Sequence, residues 1–185
     1  MAERSRMNET ALTDAGAAPW SLAQGRLENP EPSRTYWLAT MRPDGAPHVM
    51  PVIGAWLDGA FYFVSREKTR KGRNLAGEPR CVVAVSSTTL PSLDLIIDGR
   101  AEQVTEETTL DRVTDVYRSK LGWPLEVRRD QVVGPNAPTA GPPPYAMFQV
   151  TPTTIFGLPG VTGMDQFDPA DLPRPTRWDV APEPG

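Results

Sequence analysis

The chain of 185 residues carries 19 Lys and Arg against 23 Asp and Glu, a formal net charge of −4, with 39% hydrophobic residues. That is enough for one globular domain with a core, and it lacks the broad basic surface that nonspecific nucleic-acid binding requires. A single cysteine, Cys81, and a single histidine, His48, exclude an internal disulfide, a thiolate cluster and a multi-histidine metal site. No apolar run reaches the roughly 18 residues of a membrane-spanning helix. The start, from Met1 to Met7, has no apolar segment of the secretory kind, so a cytoplasmic location is expected.

Residues 1–18 are polar and alanine-rich and read as a mobile arm before a domain spanning 19–160. Trp20 to Leu27 predicts a short helix, ended by Asn29 and Pro30. Tyr36 to Met41 is aromatic and β-favouring and predicts a strand. Arg42 to Pro47 follows as a turn, with Asp44-Gly45 supplying the left-handed position. His48 to Leu57 predicts a second strand, in which Pro51 points to an edge or a bulge. Asp58-Gly59 is a two-residue hairpin signal, and Ala60 to Ser65 returns as a third strand.

A short helix is expected over Lys68 to Ala76, then a buried strand over Arg80 to Ser86 and another over Leu93 to Val104, interrupted at Gly99. Cys81 lies in the first of these two strands, where a buried, inert thiol is expected. Thr105 is placed to cap a longer helix whose apolar face is Leu110, Val113, Val116, Tyr117 and Leu121. Residues 124–144 read as an irregular loop, and Tyr145 to Val150 and Thr154 to Gly157 as two closing strands. Of 21 prolines, 12 fall within residues 135–185, so 161–185 is expected to be an extended tail that docks on the barrel, with Arg177-Trp178 as its anchor. Short hairpin-linked strands with one short and one long helix predict a mainly β protein, a small closed or split antiparallel barrel.

The chemistry concentrates in one window. Arg66, Lys68, Arg70, Lys71 and Arg73 place five positive charges within eight residues, offset only by Glu67, in an otherwise acidic chain. At the join of a strand and a helix, such a cluster suits the phosphate of a bound cofactor, because helix N-terminal amides and Lys or Arg donors both favour an anion. A solvated, charged helix face is the other reading of the same window. No Gly-x-Ser-x-Gly elbow, Walker loop or Gly-x-Gly-x-x-Gly fingerprint is present, which removes the commonest hydrolase and nucleotide-binding chemistries.

Three runs, Tyr36 to Val52, Leu57 to Ser65, and Thr69 to Leu75 with Glu78-Pro79-Arg80, resemble in order and spacing the pyridoxamine-phosphate-oxidase-like split β-barrel flavoproteins. The resemblance covers residues 34–105 well and 145–180 more loosely. It implies a homodimer with a flavin-type cofactor in clefts shared by the subunits. Carried over, Thr69, Arg70 and Lys71 match the element that grips the cofactor phosphate, and Ser65 matches a contact to the same group. His48, Met50, Pro51 and Val52 match the strand lining the ring system, with Val64 beside them and Asn74 as a further contact.

Within the family the chain is most similar to the branch that uses the deazaflavin F420, on Pro47 to Val52, Thr69 to Leu75 and Thr176-Arg177-Trp178. That similarity implies hydride transfer from reduced F420 to a small organic substrate, with no metal. FMN, which also ends in a phosphate, is the alternative cofactor, and a non-enzymatic flavin, deazaflavin or haem binder is a second alternative. The resemblance does not extend to vitamin B6 oxidation, because Trp178 is followed by Asp179-Val180 in place of the Arg-Leu segment that grips that substrate. No catalytic residue is implied: solvent can deliver the proton, and His48 is either a donor or a packed side chain. Tyr145 and residues 124–144 are expected to shape the substrate side.

Overall fold

The computed structural model describes residues 7–29, 31, 35–87, 89–138, 140–160 and 164–180. Its frame is antiparallel: β2 (Tyr36–Met41), β3 (Pro47–Val52), β4 (Gly54–Leu57), β5 (Ala60–Ser65), β6 (Arg80–Val85), β7 (Leu93–Val104) and β10 (Ala146–Pro159). β3 pairs with β2, β2 with β6, β6 with β7 and β7 with β10, which pairs on through β5 to β4. The chain passes from β3 to β4 through the single residue Ile53, and that bend closes the barrel. The strand expected over His48 to Leu57 is thus two strands serving opposite sides of the closure. Pro51 is tolerated because, among the described residues, β3 pairs with β2 alone.

The two expected closing strands are one. β10 pairs with β7 from Met147 to Pro159, with a register shift between Pro152 and Thr154. Its other edge is shared: Ala146–Val150 pair with β5, and Thr154–Gly157 pair with β11 (Thr176–Val180). The bulge lets one strand change partners, which splits the barrel. β7 is likewise continuous through Gly99, where a Cβ would lie 2.5 Å from the Thr151 carbonyl oxygen of the bulge. Here glycine permits close approach rather than interrupting the strand.

The expected mobile arm is ordered where it is described: β1 (Met7–Ala11) adds to the sheet edge against β11. Within the described part of the tail, β11 pairs with β10 and takes Trp178 to full burial. Its indole donates to the Ala18 carbonyl oxygen at 3.2 Å and meets Trp20 edge-on at 5.8 Å. Trp20 begins α1 (Trp20–Glu28), which presents Ala23 and Leu27 to the barrel core.

Strand alternation divides the apolar residues between two cores. Phe61 and Phe63 point into the barrel with Leu38, Val83, Ile97 and Phe148. Tyr62 and Val64 point outward to pack with Leu110, Val113 and Tyr117 of α3 (Glu107–Leu121). α3 is capped one residue later than expected: Glu106, not Thr105, accepts from the Thr108 and Thr109 amides at 2.9 and 2.6 Å. The Thr109 and Thr108 side chains, and then those amides, hold its carboxyl pKa down at about 2. Residues 124–144 are not wholly irregular, since β8 (Glu126–Arg128) and β9 (Gln131–Val133) form a hairpin over this second core. No helix among the described residues is long and apolar enough to cross a membrane.

Candidate functional site

The corner between β5 and α2 (Arg70–Gly77) is built by its own hydroxyls. Thr69 is the N-cap: its Oγ1 accepts from the Gly72 amide at 3.2 Å and donates to the Arg66 carbonyl at 2.7 Å. Ser65 Oγ lies 2.9 Å from Thr69 Oγ1. A Cβ on Gly72 would stand 2.6 Å from the carbonyl oxygens of both Arg66 and Glu67, so only glycine lets the first turn sit this close to the preceding loop. Ser65 and Thr69, predicted as ligand contacts, therefore spend their hydroxyls on shaping the corner.

That corner sorts the five basic side chains. Arg73 curls back to donate to the Lys68 carbonyl at 2.7 Å. Arg70 is exposed at the start of α2, whereas Lys71 is only 2% exposed. Burial pulls the Lys71 ammonium below the usual lysine pKa. An anion at the start of α2 would meet an exposed guanidinium, a desolvated ammonium and the positive end of the helix dipole.

One turn further along α2, Asn74 is buried at 2% exposure. Its Nδ2 donates to Thr40 Oγ1 at 2.9 Å, and Thr40 donates on to the His48 carbonyl at 3.3 Å. This chain ties α2 to β2 and β3, and Thr40 is the member that sequence reasoning missed. Two buried polar atoms of these residues have no hydrogen-bond partner among the described residues, Asn74 Oδ1 and His48 Nδ1. Orphaned buried groups of this kind are costly unless something answers them. Burial, and then the positive charges of Arg70, Lys71 and Arg42, push His48 below the usual histidine pKa and keep it neutral near pH 7.

Other predicted residues fall elsewhere. Met50 shares the face of β3 that carries His48 and Val52, and Val52 is part of the barrel core. Pro51 lies on the opposite face, paired with Trp37, so it does not line the same surface as Met50. Val64 is packed in the α3 core, on the face of β5 opposite Phe63, and not beside β3. Tyr145 is fully buried and its hydroxyl is consumed in holding the loop, accepting from the Ala137 amide at 2.8 Å and lying 2.6 Å from the Gly141 carbonyl. It is a strut rather than a substrate contact. Cys81 is buried, and desolvation pushes its thiol up to about 12, which leaves no thiolate for chemistry.

A split barrel with a capped basic helix at the end of β5 agrees with the sequence, which matches the family description pyridoxamine 5'-phosphate oxidase over residues 27–158. The chain belongs to that family. Comparison with curated proteins finds no match. Among solved structures, a conserved hypothetical protein, Rv2991, from Mycobacterium tuberculosis is 22% identical with TM-score 0.57, covering 81% of this chain and 89% of its own. A FAD-binding protein from Mesorhizobium loti is 16% identical with TM-score 0.53, covering 95% and 100%. A heme binding protein from Mycobacterium smegmatis is 18% identical with TM-score 0.53, covering 80% and 57%. At these identities the likeness shows the pyridoxamine-phosphate-oxidase-like split barrel and nothing finer.

Proposed function

We propose that this family member is an oxidoreductase that transfers hydride from reduced F420 to a small organic substrate. The observation that carries the reading is the pairing of Arg70 and buried Lys71 at a capped helix start with the orphaned Asn74 Oδ1 one turn along α2 and the orphaned Nδ1 of His48, whose carbonyl Asn74 reaches through Thr40. A phosphate-bearing cofactor with a polar ring and hydroxylated side chain answers both features: its anion meets the two cations, and its donors meet Asn74. Bound there, F420 would supply the hydride. The protein would supply position and exclusion of water, with neutral His48 at the ring side available to hold or pass a proton.

FMN is the second reading, because the same cations suit its terminal phosphate and a FAD-binding protein shares the fold. We further propose a homodimer with the cofactor at the shared cleft. The outer face of β2 and β3 supports this, since it leaves Trp37 49%, Val49 52% and, at the bend, Ile53 37% exposed.

Titration of the cofactor-free protein with F420 and, separately, FMN, followed by fluorescence, tests the reading. Tight F420 binding with weak FMN binding, and consumption of reduced F420 in the presence of an electron acceptor, are expected. The opposite preference assigns the site to FMN. Binding without turnover makes the protein a carrier, and binding of neither ligand overturns the proposal.

A further inference from the structure

The cations of α2 can meet an anion only if the helix is seated in the right rotation, and the seat lies on β2. α2 has eight residues, too few to hold a helix by propensity alone, so its contacts with the barrel fix its direction and rotation. Its buried face carries Lys71, Asn74 and Leu75. Leu75 joins the barrel core, a contact without directional preference. Asn74 lies three residues after Lys71 on the same helix face, and its hydrogen bond to Thr40 does have a direction.

Thr40 is where the apolar pattern of β2 gives way. Tyr36 and Leu38 precede it on the inward face, all three at 3% exposure or less, and a hydroxyl at such a position is costly unless it is bonded. Here it is fully used. The His48 carbonyl can only accept, so the single Thr40 proton goes to it at 3.3 Å and the Thr40 oxygen must receive. Asn74 therefore presents Nδ2 at 2.9 Å, because a reversed amide would set two acceptors on one proton. The receiving oxygen stands on a strand fixed from both edges, with Thr40 opposite His48 on β3 and Cys81 on β6. After burial, the charges of Arg70 and Lys71 are what depress the His48 pKa, so both cations stand close to the strands that Thr40 joins.

We propose that Thr40 is a positioning residue for the anion site: without touching the ligand, it sets through Asn74 the rotation of α2 that aims Lys71. The inference rests on the phosphate clamp proposed above and adds to it a residue outside the basic window.

A double-mutant cycle tests it. Binding of F420 and, in parallel, FMN is followed by fluorescence in the wild type, Thr40→Val, Lys71→Met and the double variant, at a temperature where melts show all four folded. Thr40→Val should weaken binding about tenfold, the scale of a lost buried hydrogen-bond partner, while Thr40→Ser, which keeps the hydroxyl, should stay within about twofold of wild type. With Lys71 removed there is nothing left to aim, so Thr40→Val should then cost less than about twofold. An equal loss in both backgrounds would mean a general structural role and overturns the proposal. So does wild-type affinity in Thr40→Val, or a Thr40→Ser variant as weak as Thr40→Val. The wild type supplies a check that needs no variant: the Asn74 side-chain amide protons should exchange slowly with solvent by NMR, and rapid exchange denies the tie and overturns the proposal. If neither cofactor binds the wild type, the cofactor reading falls, and the same cycle with inorganic phosphate, followed at the Arg70 and Lys71 amides, judges Thr40 separately. Phosphate that moves neither amide overturns this proposal too.

Discussion

Removing Arg70 and Lys71 separately tests the phosphate clamp most directly, because the structure predicts unequal effects. A charge-assisted hydrogen bond to an anion contributes about 1.5–3 kcal/mol, or roughly 10- to 150-fold in affinity. Arg70 is exposed, so its interaction is screened by water and salt and should fall near the lower figure. Lys71 is 2% exposed, where the effective dielectric is lower, and its loss should fall near the upper figure. Arg70→Ala should also flatten the salt dependence of binding, while Lys71→Met, which keeps the apolar stem, should bind as weakly as Lys71→Ala. Fluorescence titration with F420 or FMN at low and physiological salt reads affinity, and thermal melts check that both variants are folded. Wild-type affinity in both variants would refute the clamp. A larger loss for Arg70→Ala than for Lys71→Ala would refute the argument from burial.

The lone histidine makes protonation readable. His48 should titrate below the usual value of about 6.5 in the cofactor-free protein, and a bound phosphate ligand should raise it by offsetting Arg70, Lys71 and Arg42; an NMR titration with the midpoint unmoved by ligand would count against the site. Its folded pKa is depressed, so the unfolded chain binds more protons between that value and about 6.5, and stability should fall as pH is lowered through this window. His48→Gln should lose that part of the pH dependence in urea melts. Gly72→Ala should destabilise: helix propensity offers about 1 kcal/mol, but a methyl 2.6 Å from two carbonyl oxygens costs about 1–3 kcal/mol, and a raised Tm would contradict this. Tyr117→Phe removes the hydroxyl 2.9 Å from the Ile53 carbonyl and 3.1 Å from that of Tyr62, at the bend that closes the barrel. It should cost about 1–3 kcal/mol by denaturant unfolding, and an unchanged midpoint would deny α3 this fastening role.

Much of the fold was legible because the signals were local. Asp58 and Gly59 adopt positive φ of 50° and 80°, the geometry their hairpin signal demands, and the β2–β3 meander follows from alternating apolar residues and the Asp44-Gly45 turn. The basic window was equally local, but the helix expected from Lys68 starts at Arg70, because Thr69 caps it through its hydroxyl, which accepts from the Gly72 amide.

What the sequence determined by itself was therefore the β2–β5 meander signals, the presence of three helices and the place where charge reverses sign. Tertiary structure alone decided which face each residue serves. Val64 and Pro51 sit within the right strands yet point away from His48, because a strand's alternation is local but the choice between two cores depends on α3 packing outside β5. Nothing in the local pattern told Arg70 from Lys71, since their burial depends on how closely Gly72 lets α2 approach the loop. The Asn74–Thr40–His48 chain joins residues distant in sequence, and only the register of the paired strands and the seat of α2 bring them together.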